Sequence, residues 1–189
     1  MSNRALVVAA DPGWAAAGKA LAAQLRETLG PLAVRVEHIG STAIPGMRAK
    51  DLLDMQVSVA DLDEAAQGFT APLAALGFTR SRYEHDHVPA GSGDDPQRWR
   101  KRLFTRRGPE AAEVNLHVRL AGSPNERLAL LFRDFLRAHP DAVAAYGEFK
   151  TVLAAKVPDM ASYIDVKDPV VDLVFAWAQS WAEQTGWSA

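Results

Sequence analysis

Apolar residues at Trp14, Ala17, Leu21, Leu25 and Leu29 recur at helical spacing behind Asp11-Pro12 and stop at Gly30-Pro31. The chain therefore opens on an amphipathic helix, with Asp11 as its cap and a proline in its first turn. The period then shortens. Ala33, Val34, Val36 and Ile39 form a β-rich run that ends at Gly40-Ser41-Thr42, and Leu52 to Val59 predicts a second strand. The stretch from Gly40 to Lys50, with Pro45-Gly46 inside it, reads as a turn-rich connection between the two.

Asp61 to Leu76 predicts a helix capped by Asp61, with Leu62, Ala65, Ala66, Phe69 and Leu73 inward, Pro72 disturbing its last turn and Gly77 stopping it. Phe78 to Tyr83 predicts a strand. His85 to Gln97 contains Pro89, Gly91, Gly93 and Pro96 and is expected as an exposed loop. Arg98 to Arg107 and Glu113 to Leu120 alternate as a hairpin across Gly108-Pro109. Helices are expected over 124–138, 141–156 and 169–183, separated by His139-Pro140 and Val157-Pro158. The order of elements implies an α/β (α+β) architecture, a mixed sheet flanked by helices with a helical C-terminal third.

With 189 residues, one domain over 1–189 is expected. A composition of 48% hydrophobic and 23% charged residues excludes disorder and coiled coil. The net charge of −2 supplies no global field for nucleic acid or anionic membrane, so any polyanion site is local. The absence of cysteine removes disulfides, thiolate metal sites and thiol nucleophiles. The apolar run Met1 to Ala10 is cut off by Asp11-Pro12-Gly13, well short of a signal peptide or membrane span, so a cytoplasmic location is expected.

The stretch His38-Ile39-Gly40-Ser41-Thr42, followed by Lys50-Asp51-Leu52-Leu53-Asp54-Met55-Gln56-Val57, carries the most chemistry. A Gly-Ser turn after a strand frees backbone N–H groups to face a phosphate, and a carboxylate on the next strand can hold an accompanying Mg2+. An ordinary turn with Asp54 in a cap or ion pair fits the same residues. Six basic residues lie between Arg98 and Arg107, and on a strand Arg98, Arg100, Arg102 and Arg106 would share a face able to grip phosphates. A charge-protected edge strand is the alternative. Lys50 suits a phosphate contact or the surface. Arg133 and Arg137 stand four residues apart on a helix and can point together toward cleft or solvent. His85-Asp86-His87 has the composition of a metal-ligand triplet, although a solvated loop tip is the plainer reading. Trp177 and Trp181 form one apolar stripe that packs in the core or against a second subunit.

His38 to Gly46, Lys50 and Leu52 to Val57 resemble the signature of the GrpB family. The resemblance extends through Asp11-Pro12-Gly13-Trp14, Val114-Asn115-Leu116-His117-Val118, Leu131 to Pro140 and Tyr146 to Lys150, nearly the whole chain. It implies a nucleotidyltransferase-superfamily fold, with related domains fused to dephospho-CoA kinases. That superfamily pairs a Gly-Ser turn with two carboxylates at alternate positions on the following strand and a third on a later strand, where they share two metal ions. Gly40 and Ser41 match the turn and Asp54 the first carboxylate, while Gln56 stands at the second position, neutral and a poorer Mg2+ ligand. On the later strand Glu113, Asn115 and His117 share a face by period two, and Asn115 and His117 match the family's Asn-Leu-His pattern. His117 could then act as general base, metal ligand or phosphate donor.

The resemblance thus implies a cleft of Gly40, Ser41, Thr42, Asp54, Gln56, Asn115 and His117 for a nucleotide or other phosphorylated small molecule; Lys50, Arg133 and, from the basic strand, Arg102 are candidate added cations. An active site of this kind would transfer a nucleoside monophosphate with Mg2+, or Mn2+ in its place, at Asp54, with His117 beside it. Two non-enzymatic readings stand beside it: a nucleotide or metabolite sensor, and an accessory domain serving a kinase or folding partner. A homodimer is compatible with each.

Overall fold

The structure, a computed structural model, describes residues 5–108 and 111–189; Pro109 of the expected hairpin turn and residues 1–4 of the opening apolar run lie outside the described residues. Alternating apolar and polar positions build five strands. β1 (Arg35–Ile39) pairs antiparallel with β2 (Leu53–Val59), and β2 pairs parallel with β5 (Val114–Leu120). β4 (Lys101–Arg106) runs antiparallel to β5, and β3 (Thr79–Arg80) closes the far edge. The order is β1-β2-β5-β4-β3, a mixed sheet as the sequence predicts.

Helices cover both faces. On one side α1 (Gly13–Leu29) and α2 (Leu62–Ala75) bury Leu21, Leu25, Phe69 and Leu73 against Val36, Met55, Val57, Phe104, Leu116 and Val118. Asp11 accepts the Gly13 N–H at 2.7 Å ahead of α1, and Asp61 accepts from Asp63 and Glu64 ahead of α2. Ala17, expected inward, is exposed, and Gly18 takes its place in the buried stripe. The reason is the crossing over β1, where a Cβ at position 18 would stand 2.1 Å from His38 Nδ1. Pro72 is accommodated inside α2, three residues before its end.

On the other side lie α3 (Pro124–Ala138), α4 (Pro140–Lys156) and α5 (Met160–Thr185), gathered around Leu131, Phe135, Leu136, Tyr146, Val174 and Ala178. The last helix starts nine residues before the expected Pro169. Asp159 caps it by accepting the Ser162 N–H at 2.8 Å, and Pro169 sits within it, forgoing one backbone bond. Trp181 packs on Phe135 and Trp187, while Trp177 is exposed, so the two do not form one buried stripe.

Two strand expectations change. The segment 78–83 pairs only at Thr79–Arg80, because the Phe78 N–H returns to the Leu73 carbonyl at 3.0 Å and Phe78 buries at the helix end. The basic strand starts at Lys101, after a 3-10 turn over Pro96–Trp99. Arg98 and Arg100 therefore lie outside it. Arg102 and Arg106 point to the α2 side, where Arg102 pairs with Asp63 and Arg106 lies over the Phe78 ring.

The polar face of the central strands is satisfied by the start of α3. Glu126, 3% exposed, takes hydrogen bonds from Ser58 Oγ, Arg35 (2.6 Å) and the Gly122 N–H (2.8 Å), and its carbonyl accepts from Gln56 Nε2 at 3.3 Å. Burial alone would raise the Glu126 pKa, but these donors hold it below the ordinary value. This polar junction seats α3 on the sheet and leaves a cleft between the sheet's remaining polar face and α4 and α5.

Candidate functional site

The cleft holds about 450 Å³, the size of a small-molecule site. The register places its floor. Asp54 faces Asn115, which faces Thr105; Gln56 faces His117, which faces Leu103; and Ser58 faces Arg119, which faces Lys101. Direct partners project to the same face, so the period-two reading of Asn115 and His117 holds.

Gly40 ends β1 with φ +69° and ψ −168°, a conformation that side chains resist, and a Cβ there would stand 2.5 Å from Asp54 Oδ2. This glycine lets the turn lie directly on the Asp54 carboxylate. Gly40→Ala is expected to cost at least about 1–3 kcal/mol in backbone strain and to push Asp54 out of the floor. Urea unfolding beside ligand-dependent thermal shifts would show both losses, and an unchanged midpoint would refute the requirement.

Ser41, in the 3-10 turn Ser41–Ala43, accepts a hydrogen bond from Lys150 Nζ at 2.8 Å. Thr42 spends its hydroxyl between His38 Nε2 (2.9 Å) and the Leu52 carbonyl (3.2 Å), so it braces the turn rather than offering a free donor. Burial lowers the His38 pKa to about 4 against the pull of Asp54, keeping that ring neutral in the brace.

Lys150 reaches the site from α4 and is 3% exposed. Its ammonium lies over the Tyr146 ring at 5.0 Å, and among the described residues no carboxylate forms an ion pair with it. Burial, with Lys167 and Lys50 nearby, lowers its pKa to about 7 against the opposing pull of Asp54. Lys50, whose Nζ approaches Met160 Sδ at 3.8 Å, is also lowered by burial.

Asp54 receives the Asn115 amide at 3.0 Å, and His117 Nε2 lies 3.7 Å away. Burial would raise its pKa, but His117, Asn115 and Lys50 hold it below the usual carboxylate range. Burial together with Lys101 and Arg119 lowers the His117 pKa to about 4, so the ring is neutral. Lys101 (3.5 Å) and Arg119 (3.3 Å) both approach Nδ1, which leaves the proton on Nε2, toward Asp54.

Asp86, expected on a solvated loop tip, enters the wall instead. It accepts from Lys101 (2.6 Å), Arg119 (2.8 Å) and Asn125 (2.9 Å), while neighbouring His87 turns outward to Asp172 on α5 at 3.0 Å. The triplet therefore does not converge. Arg133 also lies away from the cleft, bonded to Glu37, Asp134 and the His38 carbonyl behind β1. Arg102 is on the opposite face of the sheet. Gln56 lies beneath the floor, its carbonyl taken by Arg119 and its amide by Glu126. Of the sequence candidates, the cleft unites Gly40, Ser41, Thr42, Lys50, Asp54, Asn115 and His117.

The donors do not fit a pair of Mg2+ ions. Asp54 is the single carboxylate at the motif positions, already engaged by Asn115 and flanked by Lys50, and Gln56 is committed to Arg119. No group of three or more His, Asp or Glu side chains among the described residues is arranged to hold a metal.

Fold and site together define an α/β/α fold whose Gly-Ser turn and buried lysine border a cleft of small-molecule size. The chain belongs to the GrpB family: a family model described as GrpB protein matches residues 4–176. It is 34% identical to a dephospho-CoA kinase of Mycobacterium leprae over 96% of this chain and 48% of that protein. It is 31% identical to UPF0157 protein BH1888 of Halalkalibacterium halodurans over 90% of this chain and 80% of that one. The crystal structure of the conserved protein GrpB from Enterococcus faecalis superposes with a TM-score of 0.72 at 26% identity, covering 93% of this chain and 99% of that one. The chain spans about half the length of the dephospho-CoA kinases it matches. No helix among the described residues is long and apolar enough to cross a membrane.

Proposed function

We propose that this protein binds a phosphorylated small molecule of the nucleotide class, with the phosphate seated between Ser41, Lys150 and Lys50, and that binding needs no divalent metal. The observation that carries this reading is Lys150, an almost fully buried lysine whose Nζ is held 2.8 Å from Ser41 Oγ and which, among the described residues, has no carboxylate in direct ion-pair contact, Asp54 acting on it only from a distance. A buried cation of this kind is stabilised by an anion that arrives with the ligand. The neutral His117 Nε2–H and the Asn115 amide both turn toward Asp54 and occupy its carboxylate at the floor. The name of the mycobacterial relatives makes dephospho-CoA a rational member of the test panel.

Thermal unfolding with phosphate, pyrophosphate, AMP and dephospho-CoA, each with and without Mg2+, tests the reading. A ligand at a hundredfold excess over its Kd stabilises by about 2.7 kcal/mol. The expected result is a shift that persists in EDTA and vanishes in Ser41→Ala/Lys150→Met. Absence of any shift would overturn the proposal. Nucleotidyl transfer is the second reading, favoured by Asp54 remaining ionised at the cleft floor. It requires a shift that appears only with Mg2+ or Mn2+ and is abolished by Asp54→Ala.

A further inference from the structure

Beside the cation-lined cleft lies a second cavity of about 880 Å³. The two share Lys50, Leu52, His85, Lys101, Asn115 and Ile164 as common wall, so they adjoin along the sheet. The second part has a different character. Leu6, Tyr83, Leu103 and Ile164 line it, and three of these are open to solvent, at 73% for Leu6, 59% for Tyr83 and 42% for Ile164. Its charges cancel, with Asp51, Glu113 and Asp165 against Lys50, Lys101 and Arg107.

Resting on the phosphate-site reading, we infer that the ligand is an elongated organic phosphate whose uncharged arm runs from the Ser41–Lys150 end across β2 and β5 onto the shelf of Leu6, Tyr83 and Leu103. The register sets its length. Ser41 leaves the β1 edge and Leu103 lies on β4, three strand spacings across the sheet, so the arm spans at least about 14 Å. Inorganic phosphate fills only the cationic end. A second phosphate at the far end finds no net positive charge, whereas an apolar chain or ring covers side chains that otherwise face water. Thr105 and Asn115, side by side on the floor, offer polar groups to the middle of the arm.

The test is calorimetric titration of the full chain with inorganic phosphate, hexyl phosphate and AMP, using wild type and the double variant Leu6→Ser/Tyr83→Ser. Both substituted side chains are exposed, so the variant keeps the fold, and circular dichroism checks it. At least tenfold tighter binding of hexyl phosphate or AMP than of phosphate is expected. That gain should fall at least threefold in the double variant with phosphate affinity unchanged. Whichever probe gains more identifies the arm as chain or ring. Equal affinity for all three, or a gain that survives in the variant, overturns the elongated-ligand inference and leaves the phosphate site standing. Failure of all three to bind overturns both.

Discussion

Lys150→Met is expected to abolish phosphate binding while making the unliganded protein more stable below neutral pH. The wild-type ammonium has an ordinary value of 10.5 and is brought to about 7 chiefly by burial. Between those two values the unfolded chain holds a proton that the folded chain has released, so wild-type stability rises with pH from about 7 upward. Below about 7 both states are protonated and the full cost is present. A shift of this size corresponds to a destabilisation on the order of 5 kcal/mol, which Met at the same site removes. Phosphate reverses the balance, because it favours the charged lysine and its binding draws in a proton; affinity is therefore expected to fall as pH rises above about 7. Urea unfolding of wild type and variant at pH 6, 7.5 and 9, with phosphate titrations alongside, measures both effects. Parallel pH profiles for the two proteins would contradict this role for Lys150.

Asp86→Asn is expected to destabilise the protein by about 3–5 kcal/mol, the cost of leaving buried charge without its partner. Lys101 and Arg119 are 7% and 6% exposed, and both converge on this one carboxylate. Burial would raise the Asp86 pKa, but Arg119 and Lys101 hold it far below the ordinary 3.8. Its stabilising contribution is thus complete above about pH 4 and is lost as pH falls through the folded-state value. The variant should unfold at lower urea at pH 7 and show a shallower acid slope than wild type. A ΔΔG under about 1 kcal/mol would show that the two cations find other compensation.

The parts of the fold visible in the sequence are those set by local pattern. α1, β2, α2, the β4–β5 pairing and α3 follow from periodicity, caps and glycine stops, and Asn115 and His117 follow from alternation in β5. Lys150 was hidden because α4 is apolar on several sides and gives a lysine no distinctive face. Its burial arises only where α4 crosses the Ser41 turn, a contact spanning 109 residues. Tyr146 to Lys150 lies inside the family resemblance, which was the available signal. Asp86 was hidden for a related reason: proline and glycine correctly marked the segment as irregular, but irregular backbone need not be solvated when a carboxylate within it meets two cations. Arg119 could have been found, since it continues the Asn115, His117 alternation by one step. Arg102 lies on the α2 face, and the count of polar residues along a strand does not reveal which face borders the cleft.

Gln56 gives this scaffold a one-way character. Its carbonyl neutralises no charge yet anchors Arg119, and its amide is a donor that Glu126's backbone depends on. A carboxylate substituted there would lose that donor and meet Arg119 as a ready counter-ion, so a single codon change does not produce a metal ligand. Reaching one would require removing the guanidinium, which releases Asp86, and replacing the lost bond to α3. Intermediate sequences along such a route carry unpaired buried groups. A rebuilt pair of acidic ligands is therefore not reached from this chain by small steps.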